Sequence, residues 1–323
     1  MRAGELRSGD EGGSFHREWA RQGGLCRRMS LQWIQWGKFR DEVTNRQRQT
    51  CGEFVLKFMV CVKQVPDSTA EKKLRADDSL LDRAGVDAVA NELDENAIES
   101  ALQISEANGG NGDGAPNSIT LLSMGPERAN ETIRKGLSMG ADDAIHLTDA
   151  ALAGSDALAT SRALAAVIGT REVDVVFCGT ESTDARMSVV PAMLAQRLGW
   201  PQLTFAGEVE VDANARMVRI KRMTDEGVEQ MEAPMPCVVS VIQKINEPRY
   251  PSFKGIMAAR KKNIVVLSLA EIGLSANEVG SAGAWSAVND FSLRAMRSAG
   301  IKITDEGNAG DQLVAFLVTK KLV

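Results

Sequence analysis

Histidine and closely spaced cysteines are scarce in this sequence. Among 323 residues there are two histidines, His16 and His146, and five cysteines, none of them in a CxxC pair. Zinc sites are usually built from closely spaced cysteines and histidines, so the sequence predicts no metal site. Scattered cysteines in odd number are typical of reduced thiols, which favours a cytoplasmic location.

Positive charge and long apolar runs are lacking as well. The formal net charge is −5, whereas proteins that grip nucleic-acid backbones carry a positive balance. We therefore expect no nucleic-acid partner. No apolar run approaches the roughly 20 residues that cross a bilayer, so we expect no membrane insertion.

The motifs of the common nucleotide-dependent enzymes are missing. No GxGxxG follows the first predicted strand, and the sequence contains no GxxxxGK[ST]. Hydride transfer with dinucleotides and ATP hydrolysis therefore lack their usual residues. Serine-dependent catalysis needs a histidine partner, and the only histidine after residue 54 is His146. It adjoins a short strand pattern, and we interpret it as a packing or surface residue.

Residues 1–54 differ in composition from the rest of the chain. They are rich in Arg, Gly, Ser and Gln and show no sustained apolar periodicity. We interpret them as a disordered extension or a misassigned gene start. An Arg-rich targeting peptide is disfavoured by the scattered acidic residues. The folded domain is predicted at 55–323.

From residue 58 onward, strand patterns alternate with helical patterns. Strands are predicted at 58–65, 118–125, 144–147 and 173–179, and helices at 91–108, 126–140, 156–168 and 187–198. This alternation predicts an α/β, Rossmann-like fold, a mostly parallel sheet with helices on both faces. Residues 207–242 follow a period of two and predict an antiparallel hairpin extension. Ligands bind such sheets beyond the carboxyl ends of the strands, here at the loops starting at Gln64, Met124 and Gly179.

The loop that begins at Gly179 carries the strongest binding signal. Its hydroxyls and the Asp184 carboxylate precede a helix predicted to open near Ser188. The N–H groups of Ser188, Val189 and Val190 would lie unpaired in the first turn, where the helix dipole favours an anion such as phosphate. The same residue types also cap helices that bind nothing. The spacing therefore leaves a nucleotide site and a simple helix cap both open.

Four separated blocks of sequence point to one family. They are FMVCVKQVPD (58–67), ETIRKGLSMGAD (131–142), WPQLTF (200–205), and NEPRY followed by GIMAARKK (246–262). Together, the blocks resemble the β subunit of electron transfer flavoprotein, and the resemblance covers residues 57–323. The residues that match the family signature are Arg222, Asp225, Glu226, Gly227, Glu229, Pro236, Val238, Val239 and Ser240. Met231 stands where Leu, Ile or Val is usual.

The resemblance implies an electron carrier rather than an enzyme. Its fold would be of the adenine nucleotide hydrolase-like kind, and its α-subunit partner would carry most of the contacts to a shared, redox-active FAD. The β subunit would hold a structural AMP. The AMP contacts carried over from the family fall on Cys61, Asn91, Glu92, Leu93, Asp94, Met124, Asp184, Ala185, Arg186, Met187, Ser188, Val189, Val190, Pro191, Ala192, Met193, Leu194 and Ala195. Acyl-CoA and related dehydrogenases would supply electrons, and a quinone oxidoreductase would receive them.

Two other functions stay open beside the carrier. Bifurcating relatives hold a second FAD in the pocket that AMP otherwise fills. A free-standing adenine-nucleotide sensor would share the sheet but would have no flavin partner. The hairpins and the C-terminal segment at 311–323 favour a carrier over a sensor, which needs neither.

The segment at 245–263 combines two prolines, the only tyrosine and a basic end. Composition alone permits a surface connection, a nucleic-acid patch or a docking element. The resemblance implies a partner-recognition loop with Phe253 as its apolar anchor. The other partner-binding residues that it implies are Arg249, Tyr250, Ile256, Met257 and Lys261. In the family the C-terminal end reaches over the α subunit, so we expect heterodimer contacts from the apolar stripe at 313–317.

Overall fold

The computed structural model describes residues 55–292 and 300–323. The predicted extension at 1–54 lies outside the described residues and stays a prediction. The strands are β1 (Lys57–Cys61), β2 (Gln64–Pro66), β3 (Ala88–Ala90), β4 (Ser118–Met124), β5 (Asp143–Leu147), β6 (Val175–Gly179), β7 (Gln202–Asp212), β8 (Met217–Thr224), β9 (Gly227–Pro234), β10 (Cys237–Val241) and β11 (Ile264–Leu267).

Nine of these strands form one sheet in the order β11-β5-β4-β1-β6-β10-β7-β8-β9. Every neighbouring pair from β11 to β7 is parallel, whereas β8 is antiparallel to both β7 and β9. The predicted α/β fold and its antiparallel extension are therefore confirmed. The extension continues the main sheet, because β7 pairs in parallel with β10 and antiparallel with β8. The remaining strands, β2 and β3, form a small antiparallel sheet.

The α-helices are α1 (Glu92–Ala107), α2 (Asn130–Met139), α3 (Ala157–Ile168), α4 (Val190–Leu198), α5 (Phe253–Ala259), α6 (Gly280–Gly283) and α7 (Ala309–Thr319). Short 3₁₀ helices lie at Glu127–Ala129, Ala150–Leu152, Gln243–Ile245, Ala270–Ile272 and Ala276–Glu278. Apolar residues of α1 and α2 pack on one face of the sheet, and those of α3 and α4 pack on the other. Each of these four helices thus buries one stripe of its surface, as the sequence periodicity predicts.

Helix boundaries follow the chemistry of their ends. Asp156 caps α3 by accepting a hydrogen bond from the N–H of Ala159 at 2.9 Å. Helix α2 ends before Gly140, where φ is +141° and a side chain would be strained. His146 is buried in β5 with its Nε2 3.1 Å from the carbonyl oxygen of Gly125, so its interpretation as a packing residue is confirmed.

Two predicted elements differ from the structure. The strand predicted at 58–65 is split, because the chain leaves the main sheet after Cys61 and Gln64–Pro66 pairs antiparallel with Ala88–Ala90. The helix predicted at 187–198 begins only at Val190. Left-handed backbone at Arg186 (φ +49°) and Ser188 (φ +55°) prevents an earlier start.

No helix among residues 55–292 and 300–323 is long and apolar enough to cross a membrane. The same residues contain no group of three or more His, Cys, Asp or Glu placed to hold a metal ion. The described cysteines, Cys61, Cys178 and Cys237, are free thiols.

Candidate functional site

Three parallel strands and one helix meet at the carboxyl edge of the sheet. Cys61, Met124 and Gly179 are the last residues of β1, β4 and β6, which are neighbours in register. The start of α1 packs directly on this edge. A Cβ atom at Gly179 would lie 2.6 Å from Oδ1 of Asp94 and 2.7 Å from Cβ of Leu93, so glycine is what permits the approach. The predicted site residues at the strand ends, Cys61 and Met124, thus lie at the same edge as those at the start of α1, Leu93 and Asp94.

Asn91 ties the start of α1 to the loop after β6. Its Nδ2 donates to Oδ1 of Asp94 at 3.0 Å and to the carbonyl oxygen of Glu181 at 2.9 Å. Its Oδ1 accepts from the N–H of Thr183 at 3.1 Å. Asn91 is buried, and two of its three bonds join the start of α1 to the loop after β6. The side chain therefore fixes the pocket wall, a role that the sequence alone does not show.

Asp94 lies in the first turn of α1, at this edge of the sheet. It is buried and accepts hydrogen bonds from the Asn91 side chain and from the N–H of Lys63 at 2.8 Å. Burial raises the pKa of Asp94 to about 7, against the opposing effect of these hydrogen bonds. The charge of Asp94 also acts on one thiol. A hydrogen bond to Cys61, burial and this charge together raise the pKa of Cys178.

The Asp184 carboxylate lies between two cations and has no exposed side-chain surface. Its Oδ1 is 2.8 Å from Nζ of Lys63, and its Oδ2 is 2.5 Å from Nη2 of Arg83. Burial alone would raise the pKa of Asp184, but the charge and hydrogen bonds of Lys63, with further bonds from Ser182 and Arg83, hold it well below its usual range. The carboxylate therefore anchors Lys63 and Arg83 at the pocket.

Sequence reasoning missed both of these cations. Lys63 falls inside the strand predicted at 58–65, whereas in the structure that strand ends at Cys61 and Lys63 lies at the edge where ligands bind. Arg83 lies in a polar stretch without periodicity, and only the folded chain brings it to Asp184 across 101 residues.

The N-terminus of α4 borders the pocket. The helix begins at Val190, two residues after the start predicted near Ser188. The first bond within the helix is donated by the N–H of Met193 to the carbonyl oxygen of Val189 at 3.0 Å. The amides of Val190 and Ala192 precede that bond, and Pro191 has no N–H to pair. Ser188 lies before the helix, and its Oγ donates to Oε2 of Glu181 at 3.0 Å.

The predicted contact residues at 184–195 do not share one environment. Ala185, Arg186 and Met187 are exposed on the loop, and Val190, Ala192 and Met193 are half-buried on the first turn and a half of α4. Leu194 and Ala195 are buried in the core cluster that α3 and α4 form with the sheet. The side chains of these last two residues therefore serve packing. Glu92 is exposed at the start of α1, and Leu93 is half-buried beside Gly179.

The site presents positive charge and hydrogen-bond donors at one edge of the sheet. Lys63 and Arg83 supply positive charge, and the free amides of α4 supply donors and a favourable dipole. Asn91 and Asp94 use their side-chain hydrogen bonds within the chain and hold the loop after β6 in place. Cations beside unpaired amides at a helix N-terminus are the groups that suit a phosphate.

The 245–263 segment lies apart from the pocket edge and displays apolar side chains. Tyr250 is 96% exposed and Phe253 is 81% exposed, while Ile256, Met257 and Lys261 are exposed on and after α5. Arg249 behaves differently, because its guanidinium is taken up by Glu99 and Glu106 of α1. Five of the six predicted partner-binding residues are thus exposed, whereas the sixth, Arg249, is hydrogen-bonded to Glu99 and Glu106.

Comparison with known proteins identifies the family. The electron transfer flavoprotein domain matches residues 78–272. The chain is 51% identical over 267 residues to the electron transfer flavoprotein subunit beta of Mycobacterium leprae, a match that covers 82% of this chain and 99% of that protein. It is 50% identical over 267 residues, with the same coverage, to the subunit of Mycobacterium tuberculosis. The subunit of Megasphaera elsdenii is 36% identical over 279 residues, which covers 83% of this chain and all of that protein. This chain belongs to the electron transfer flavoprotein β subunits.

Proposed function

We propose that this chain is the β subunit of a heterodimeric electron carrier of the cytoplasm. Its α subunit would hold most of a shared FAD, and acyl-CoA or related dehydrogenases would reduce that flavin. A quinone oxidoreductase would then reoxidise it. The flavin supplies the electron-transfer chemistry when bound, whereas this chain supplies binding surfaces and electrostatics.

The pocket at the carboxyl edge is proposed to hold a structural AMP. The observation that supports this proposal is the pairing of Lys63 and Arg83 on buried Asp184 beside the free amides of α4. A phosphate there would meet two cations and a helix N-terminus. Asn91, bonded to Glu181 and Thr183, would hold the loop after β6 beside the nucleotide.

The nucleotide content of the purified complex tests this proposal. The chain would be co-expressed with its α subunit, and the nucleotides released by denaturation would be identified and counted. One FAD and one AMP per heterodimer is the expected result. Two FAD and no AMP would assign the chain to the bifurcating class, and a colourless monomer that binds adenine nucleotides would favour the sensor.

The 245–263 segment is proposed to dock the dehydrogenase. Support comes from Tyr250 and Phe253, which are almost fully exposed although each could cover a large apolar area. The adjacent Arg260 and Lys261 would attract an acidic surface and speed its encounter. The C-terminal arm, residues 309–323, is proposed to bind the α subunit, because its helix α7 has no buried residues.

A further inference from the structure

We propose that Glu99, Glu106 and Arg249 form a positioning clamp that holds the 245–263 segment in the conformation that binds the dehydrogenase. This inference rests on the proposed docking role of that segment. It assigns Arg249 a task different from partner contact, and it adds two glutamates on α1 that no sequence motif singles out.

The geometry of the clamp fixes the plane of the guanidinium. Nε and Nη2 of Arg249 donate to the two oxygens of Glu99 at 2.7 and 3.0 Å, and the N–H of Arg249 donates to Oε2 of Glu99 at 3.2 Å. Nη1 and Nη2 also reach the two oxygens of Glu106 at 2.6 and 3.1 Å. Two paired-carboxylate contacts on one guanidinium leave little freedom to rotate. The Glu99 side chain is 4% exposed, so its charge needs this partner.

A second attachment lies three residues earlier on the same helix face. Nδ2 of Asn96 donates to the carbonyl oxygen of Asn246 at 2.9 Å, and Nδ2 of Asn246 donates to the carbonyl oxygen of Asn96 at 3.1 Å and to Oγ of Ser100 at 2.9 Å. The segment is therefore bound to α1 at two points, Asn246 and Arg249. Both points lie before the exposed side chains.

The far end of the segment is held by a different helix. Nη1 of Arg134, on α2, donates to the carbonyl oxygens of Ala259 and Lys262 at 2.6 and 2.8 Å. In addition, a Cβ atom at Gly255 would lie 2.5 Å from the carbonyl oxygen of Ser138, so α5 packs closely on the end of α2.

The 245–263 segment is held at both ends and exposes apolar side chains between them. Such an arrangement lowers the entropy cost of docking. Ordering a loop and its side chains on binding consumes binding free energy, and a loop ordered beforehand avoids that cost. Tyr250 follows the clamp directly, and Phe253 opens α5, whose cap is Ser252. The clamp thus fixes the chain four residues before Phe253 and so sets the position from which this side chain leaves the surface.

Arg249→Lys tests the clamp, because lysine keeps the charge but cannot form the paired contacts. Electron acceptance would be measured with the purified heterodimer and an acyl-CoA dehydrogenase reduced by its substrate. We expect KM for the heterodimer to rise about fivefold, with kcat, FAD content and nucleotide content unchanged. Glu106→Gln is the milder second variant, since Glu106 is half exposed. Glu95→Gln, which removes the Lys135 pair from the same helix, is the control and should leave KM unchanged.

A double-mutant cycle with Phe253→Ala separates positioning from general stability. If the clamp acts by presenting Phe253, Arg249→Lys will raise KM less than twofold in the Phe253→Ala background. A full fivefold effect there, or no effect of Arg249→Lys in the otherwise wild-type complex, overturns the clamp while the docking proposal stands. Unchanged kinetics of Phe253→Ala alone overturn both.

Discussion

Replacing Phe253 by alanine removes the largest apolar group that the proposed docking surface exposes. A phenylalanine side chain buries roughly 150–250 Å² when it is fully covered. With 81% of Phe253 exposed, about 160 Å² is available to a partner. At about 25 cal/mol per Å² this area corresponds to about 4 kcal/mol. Because alanine retains some contact and docking costs side-chain freedom, we expect a loss of about 2 kcal/mol, or about 30-fold in affinity.

The assay is the rate at which a reduced acyl-CoA dehydrogenase passes electrons to the purified heterodimer. We expect Phe253→Ala to raise KM for the heterodimer about 30-fold, with FAD and nucleotide contents equal to those of the wild type. Val228→Ala is the matched control, since Val228 is 57% exposed on β9 and lies outside the 245–263 segment. A KM within twofold of the wild-type value would refute the docking role of the side chain.

Three further predictions concern the pocket and the arm. Asp184→Asn should lower the unfolding free energy of the complex by about 1–3 kcal/mol. Because the pKa of Asp184 is held below its usual range, this difference should persist down to about pH 4 and shrink only below it. Chemical denaturation at several pH values measures the difference. Burial raises the pKa of Asp94 to about 7, so between about pH 4 and 7 this carboxyl is ionised in the unfolded chain and still protonated in the folded chain. The wild type should therefore lose stability relative to Asp94→Asn as the pH rises through this range, and a constant difference would contradict this. Deleting residues 309–323 removes α7 and should reduce co-purification with the α subunit, whereas undiminished recovery would show that the arm is not needed.

The position of the pocket was predictable because it follows from repeating features of the chain. Alternating strand and helix patterns predict a parallel sheet, and the crossover rule places the ligand at the carboxyl ends of its strands. Of the loop starts predicted at Gln64, Met124 and Gly179, the last two do lie at strand ends on one edge, whereas the first strand ends at Cys61 instead of near Gln64. The β8–β9 hairpin was predictable as well, because its signal is local. Only the two turn residues Asp225 and Glu226 separate its strands.

The contacts that shape the pocket were not predictable, because they join residues distant in sequence. Nothing near Asn91 indicates that its amide will bind the N–H of Thr183, 92 positions away. The start of α4 was misplaced for a related reason. Ser188 is compatible with a helix by composition, yet its backbone is left-handed and its hydroxyl is bound to Glu181. Local propensity favoured a start near Ser188, and tertiary contacts moved it to Val190.

Helix α1 connects the two proposed surfaces of this subunit. Its N-terminal end holds Asn91 and Asp94 at the pocket, and Glu99 on the same helix holds Arg249 of the 245–263 segment. Eight residues of helix separate Asn91 from Glu99, a rise of about 12 Å, and the buried residues between them pack the helix on the sheet. A substitution that tilts α1 at the pocket would therefore move the clamp as well. Pocket variants consequently need a docking measurement beside a nucleotide measurement, because a raised KM for the dehydrogenase need not mean that the altered residue touches it.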